Sequence, residues 1–182
     1  MRLTARESGF TLIELTVVVI IISVLAGMIV PRLAGSIGST ALRESARRLL
    51  IAAQYARDFA VTRRRACRLV IDPERRCYVL ECEADPDSRP GEFTALGGGP
   101  VKADVLGRGV RFGRLRVESL GPRQAEDGCV CFEPDGRADA AVVEITDGRR
   151  VYSLTVSGCT GWAELVDGAV ADPPEGRVDL DA

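Results

Sequence analysis

Gly9-Phe10-Thr11-Leu12-Ile13-Glu14-Leu15 opens an apolar run that reaches Val30, and Glu14 is the one charge inside it. A carboxylate in such a stretch costs roughly 2.5 to 3.5 kcal/mol at the centre of a bilayer and less toward an end, so it calls for a partner. From Phe10 to Val30 the run holds about 21 residues, which at a helical rise of about 1.5 Å each gives roughly 30 Å, the thickness of a hydrocarbon core. Val17, Val18, Val19, Ile20, Ile21 and Ile22 would suit a strand in water. In lipid only a helix satisfies every backbone group of a single span, so the reading is a transmembrane helix over 10–30.

A cleavable secretory signal is the natural rival, because Arg2 and Arg6 precede the run. Such a signal has a shorter apolar core followed by a small-residue cleavage site. Here Ala26-Gly27-Met28 lies inside the run, Pro31-Arg32 follows it, and the small pair Ser8-Gly9 stands before it. Arg2 and Arg6 on one side, with Arg32 and Arg43 on the other, give the positive-inside rule little to act on.

On these residues the amino terminus resembles the type IV prepilin signature of pilins and type II secretion pseudopilins. The resemblance implies a leader of residues 1–9, a prepilin peptidase that cuts between Gly9 and Phe10, and an N-methylated Phe10. It also implies a single-pass anchor in the bacterial inner membrane with a periplasmic body. Physical chemistry agrees with that scheme. Cleavage frees an ammonium on Phe10 that can neutralise Glu14 of a neighbouring subunit, and a paired buried ion is tolerated where an isolated one is not. The pair would set the axial register of a subunit joining a filament. The rival account of Glu14 is an acid near a helix end that snorkels to the interface.

With 46% hydrophobic and 27% charged residues the chain is ordinary for a folded protein, and about 150 residues beyond the span suffice for one core. The net charge of −2 gives no general affinity for nucleic acid, and the absence of histidine weakens acid–base catalysis and imidazole-based metal binding alike. Serines and acids are present without a nucleophile elbow, a phosphate loop or metal-ligand spacing. Asp172, Asp179 and Asp181 lack the dense ligand spacing of a calcium loop. The expectation is a protein with no enzymatic activity, no cofactor and no metal.

Six cysteines, Cys67, Cys77, Cys82, Cys129, Cys131 and Cys159, permit up to three disulfides in an oxidising compartment. Their connectivity is open. Cys129 and Cys131 alternate on an expected strand and face one side, which favours bonds to other strands over a bond between them. No C-x-x-C pair occurs to suggest zinc.

Pro31 should bend the helix without ending it, and a periplasmic continuation is expected over 31–65. Leu42, Ala46, Leu49, Ala53, Ala56 and Ala60 form a stripe suited to lie along a sheet, while Arg43, Arg47, Gln54 and Arg57 point elsewhere. Gly35 and Gly38 each weaken the helix by roughly 1 kcal/mol relative to alanine, so a pliable stretch is expected over Pro31–Thr40.

From Ala66 the period changes to two. Strands are expected at Cys67–Ile71, Cys77–Glu83, Val110–Phe112, Leu115–Glu118, Cys129–Phe132, Ala140–Thr146, Val151–Ser157 and Trp162–Val166. Asp72-Pro73-Glu74-Arg75-Arg76, Pro134-Asp135-Gly136 and Asp147-Gly148 supply turn chemistry between them. Ala84–Pro100, rich in proline and glycine, reads as a long mobile loop. Residues 66–170 are thus a β-rich domain and 171–182 an acidic flexible tail.

The stretch Ala52-Ala53-Gln54-Tyr55-Ala56-Arg57 running into Arg63-Arg64-Arg65 resembles minor pseudopilins of the GspH/FimT type. Phe132-Glu133-Pro134-Asp135-Gly136 and Thr160-Gly161 resemble that family's late hairpin and final turn. The resemblance implies an α+β fold, a long N-terminal helix followed by a β-rich domain of two antiparallel sheets. It further implies a structural subunit of a type II secretion pseudopilus, whose partners are the prepilin peptidase, other major and minor pseudopilins and an inner-membrane assembly platform. The alternative is a FimT-like type IV pilus minor pilin that contacts DNA through Arg63, Arg64, Arg65 and Arg68. That cluster is short, with no interleaved aromatic residues for base stacking.

Overall fold

A computed structural model of the protein describes residues 12–86, 88–96, 104–119 and 128–174, the side chains of 26–39 excepted. The chain divides into two compact units, Met1–Ile37 and Gly38–Ala182. One helix, α1, runs over Leu12–Arg63.

Within the first unit the described side chains of α1, from Leu12 to Leu25, are all exposed. Thr16 Oγ1 donates to the Ile13 carbonyl at 2.8 Å and Ser23 Oγ to the Val19 carbonyl at 2.8 Å, so its hydroxyls are satisfied by the helix itself. Among the described residues no helix is long and apolar enough to cross a membrane. The apolar run continues past Leu25 into side chains outside the described residues, so 10–30 is not covered as a whole. Helix α1 passes through Pro31, Gly35 and Gly38 unbroken, so the stretch expected to be pliable is helical. Most of the side chains there, with the bend expected at Pro31, lie outside the described residues.

In the second unit α1 ends where Arg64 takes a left-handed φ of 53° and Arg65 N–H donates back to the Ala60 carbonyl at 3.1 Å. This is a Schellman closure with arginine where glycine is usual. Among the described residues nine strands follow: β1 Cys67–Asp72, β2 Cys77–Asp85, β3 Arg89–Ala95, β4 Asp104–Val105, β5 Arg111–Glu118, β6 Cys129–Phe132, β7 Ala140–Thr146, β8 Val151–Val156 and β9 Ala163–Asp167. They build two antiparallel sheets, one ordered β3-β2-β1-β6 with β4 also on β2, the other β5-β7-β8-β9. The α+β fold is the one expected.

Both sheets meet α1 in one core. Leu42, Ala46, Leu49, Ala52, Ala53, Ala56 and Ala60 are fully buried, in a cluster with Leu69, Leu80, Val130 and Phe132 of one sheet and Val143, Ile145, Leu154 and Val156 of the other. The alanines bring backbone close to the strands, and Leu42 and Leu49 fill the wider gaps between them. Ser45, buried on the same stripe, donates to the Ala41 carbonyl and accepts from Gly107 N–H at 2.9 Å.

Three expectations need correction. Ala84–Pro100 is not one long loop: β3 pairs with β2, Glu83 opposite Phe93, and Glu83 Oε1 accepts from Gly91 N–H at 2.6 Å. Pro90 and Gly91 are tolerated because β3 is the terminal strand of its sheet. The two strands expected around Gly113 are one strand with a bulge, since the register shifts between Phe112 and Leu115 while Arg114 N–H finds Glu144. Residues 171–174, placed in a flexible tail, are held. Ser153 Oγ, fully buried, binds the Gly168 carbonyl and Val170 N–H, Arg116 grips Asp172, and Pro173 is buried. The rest of the tail, 175–182, lies outside the described residues.

Candidate functional site

The segment expected to carry assembly includes the first turns of α1. Glu14 stands in its first turn, where a carboxylate also suits the positive end of the helix dipole. Gly9 and Phe10, the expected cleavage pair, lie outside the described residues. The flanking side chains Leu12, Ile13, Leu15, Val17 and Val18 are exposed, an apolar surface that water does not support and that lipid or neighbouring helices do.

The arginine cluster at the other end of α1 does not form one continuous basic surface. Arg68 Nε lies 2.7 Å from Glu81 Oε2 across the β1–β2 ladder, and its guanidinium sits 4.4 Å from the centre of the Phe93 ring. Arg65 donates to the Ala84 carbonyl at 2.6 Å. Arg63 lies over Phe59, 5.8 Å from the ring centre. Arg64 is the helix-closing residue and is exposed. Two of the four guanidinium groups therefore tie β2 to its surroundings.

Of the six cysteines, Cys67 and Cys82 form a disulfide between directly opposed positions of β1 and β2. Cys77, Cys129, Cys131 and Cys159 stand outside any disulfide. Burial, then the charge and hydrogen bond of Asp139, push the Cys131 thiol up to about 12. Among the described residues no group of three or more cysteine, aspartate or glutamate side chains is arranged to hold a metal.

Arg57, expected to point away from the sheet-facing stripe, is tied to the last turn of the domain. Its Nε donates to the Thr160 carbonyl at 2.7 Å and its guanidinium stacks 5.5 Å from the Trp162 ring centre. This contact fixes the Thr160-Gly161 turn against α1, and Trp162 stays more than half exposed.

A feature not foreseen from the sequence is a cleft of about 310 Å³ lined by Thr40, Arg43, Glu44, Arg47, Arg150 and Tyr152. Arg43 and Arg47 lie one turn apart on α1, and Arg150 leads into β8 from the β7–β8 turn. The i,i+4 pair is visible in sequence. Its meeting with Arg150 depends on how the second sheet docks on α1.

Comparison with known proteins matches both parts of the chain. Residues 4–30 match the prokaryotic N-terminal methylation motif, and residues 45–173 match the family model of type II transport protein GspH. Two solved structures of the minor pseudopilin EpsH from the type II secretion system of Vibrio cholerae are similar in fold. One has a TM-score of 0.57 at 10% identity and covers 73% of this chain and 98% of that one. The other has a TM-score of 0.55 at 11% identity, covering 69% and 96%. No curated protein matches the chain in sequence. Since the domain match spans well over half of the residues and begins on the helix that both sheets pack against, the chain belongs to the type II transport protein GspH family.

Proposed function

We propose that the protein is a minor pseudopilin of a type II secretion system, a structural subunit that assembles through its N-terminal helix into a periplasmic pseudopilus. The observation that carries this reading is the union in one chain of a methylation motif at 4–30 and a GspH domain at 45–173. A prepilin peptidase cuts between Gly9 and Phe10 and methylates Phe10. The apolar start of α1 anchors the subunit in the inner membrane by a single pass, with the domain in the periplasm. The Phe10 ammonium then meets Glu14 of an assembled neighbour. In lipid that pairing removes two otherwise costly charges at once, and it makes register a condition of joining. The other pseudopilins and the assembly platform are the partners this requires. The protein itself breaks no bond.

Support for a DNA-contacting pilin is weaker, because Arg65 and Arg68 are engaged within the domain. The deciding experiment is Glu14→Ala in a secreting strain. Mass spectrometry should find the variant trimmed before Phe10 and membrane-inserted, while crosslinking to other pseudopilins falls at least tenfold. Crosslinking at the wild-type level would sink the pairing mechanism, and an untrimmed wild-type chain would sink the leader assignment.

A further inference from the structure

We propose that the cleft between α1 and the β7–β8 turn is a phosphate-class anion site, occupied by the headgroup of an anionic phospholipid. Three of its six lining residues are arginines. Arg43 and Arg47 are an i,i+4 like-charge pair, which on its own destabilises a helix by about 0.2–0.5 kcal/mol. Among the described residues no carboxylate pairs with the side chain of Arg43, Arg47 or Arg150. Glu44, the one acid in the lining, is held by Arg48, whose Nε lies 3.0 Å from Glu44 Oε1.

The turn pre-places Arg150. Asp147 spends its carboxylate on the backbone, Oδ1 accepting from Arg149 N–H and Arg150 N–H at 2.8 Å each, and Thr146 Oγ1 donates to the Arg150 carbonyl at 2.7 Å. Those backbone bonds hold Asp147 below the usual carboxylate range, so the turn keeps its geometry at neutral pH. The Arg150 guanidinium receives nothing from it. Arg111 adds a further cation beside the same turn, 4.0 Å from where a side chain at Gly148 would begin.

Three guanidinium groups with a phenol offer more donors than one carboxylate can accept. A phosphate diester, with several acceptor oxygens spread around phosphorus, fits such a set better. A lipid source follows from the chain itself. Ten residues separate Val30 from Thr40, a tether of at most roughly 36 Å, which keeps the cleft within reach of the headgroups of the bilayer that anchors the apolar run. The inference rests on the anchoring part of the proposed function and adds a lipid preference to it.

The test uses the full-length chain in nanodiscs, reading the side-chain Nε–H signals of arginine by NMR. In neutral phosphatidylcholine discs, inorganic phosphate should produce saturable shifts at Arg43, Arg47 and Arg150 and none at Arg75 or Arg89. Discs containing phosphatidylglycerol should produce the same shifts without added phosphate. Arg43→Gln with Arg47→Gln should weaken the phosphate response at Arg150 at least tenfold. Linear, non-saturating shifts shared by every exposed arginine would overturn the site. Saturation with phosphate but no effect of phosphatidylglycerol would overturn the lipid as occupant. A chain that does not float with the discs fails the anchoring reading instead, which separates the two.

Discussion

Cys131 and Cys159 carry the same group in opposite surroundings. Cys159 is exposed on the final turn, whereas Cys131 is largely enclosed beside Asp139, whose carboxylate accepts Cys131 N–H at 2.9 Å. Desolvation first, and the negative Asp139 second, disfavour the thiolate, so the group stays protonated through the alkaline range where an ordinary thiol, near 8.5, ionises. The thiolate is the nucleophile, and the greater intrinsic reactivity of a basic thiol recovers only about half of the loss. At pH 8.5, iodoacetamide should therefore modify Cys159 at least about tenfold faster than Cys131, as peptide mass spectrometry would show. Comparable rates would mean that Cys131 is not enclosed. Gly161 is a second residue whose identity is fixed by its surroundings. Its φ is 61°, and a Cβ there would lie 2.6 Å from the Gly136 carbonyl oxygen. Gly161→Ala should cost about 2 kcal/mol in chemical denaturation and loosen the Arg57 contact with Thr160. A loss under about 0.5 kcal/mol would show that the turn yields freely.

Elements differed in how far the sequence disclosed them, and the reason is where their information resides. Strands β6 and β7 match the expected Cys129–Phe132 and Ala140–Thr146 residue for residue, because turn residues bound them locally. Strand β3 has no apolar alternation to read. Six of its seven residues are exposed, and it is a strand only because β2 offers it a ladder. The two-residue β4 is set in the same way by its pairing with Cys77 and Tyr78. The helix stripe was legible because sheets cover only one side of α1. Of the candidate sites, the N-terminal methylation motif is legible as a local signal, while the arginine cleft is not, since Arg150 reaches it through tertiary docking. Cysteine count left the pairing open, and register resolves it by setting Cys67 opposite Cys82. The bridge closes a separation of 15 residues, for which loop-closure entropy gives about 3 kcal/mol. The Cys67→Ala, Cys82→Ala double variant should lose about 2–3 kcal/mol in equilibrium unfolding, and wild type in reductant should lose a similar amount. An unchanged midpoint in both would show that the ladder alone holds β1 to β2.

At the scale of the whole molecule, the division at Gly38 separates two kinds of helix surface on one continuous element. Before Leu25 every described side chain faces outward, so that surface is stabilised only by what surrounds the protein. From Leu42 to Ala60 the stripe is buried in one cluster with residues of both sheets. Burial of Leu42 and Leu49 alone contributes about 3–6 kcal/mol on a transfer scale, comparable with the net stability of a small domain. A polypeptide of residues 38–182 keeps that stripe and should fold by itself, melting in a single cooperative transition by circular dichroism with helical and β signals lost together. A polypeptide of residues 64–182 keeps every strand and loses the stripe. It should show no cooperative melt and should bind a hydrophobic dye. If it melted as sharply as the longer chain, the sheets would have a core of their own, and α1 would be packed on the domain without being part of its fold.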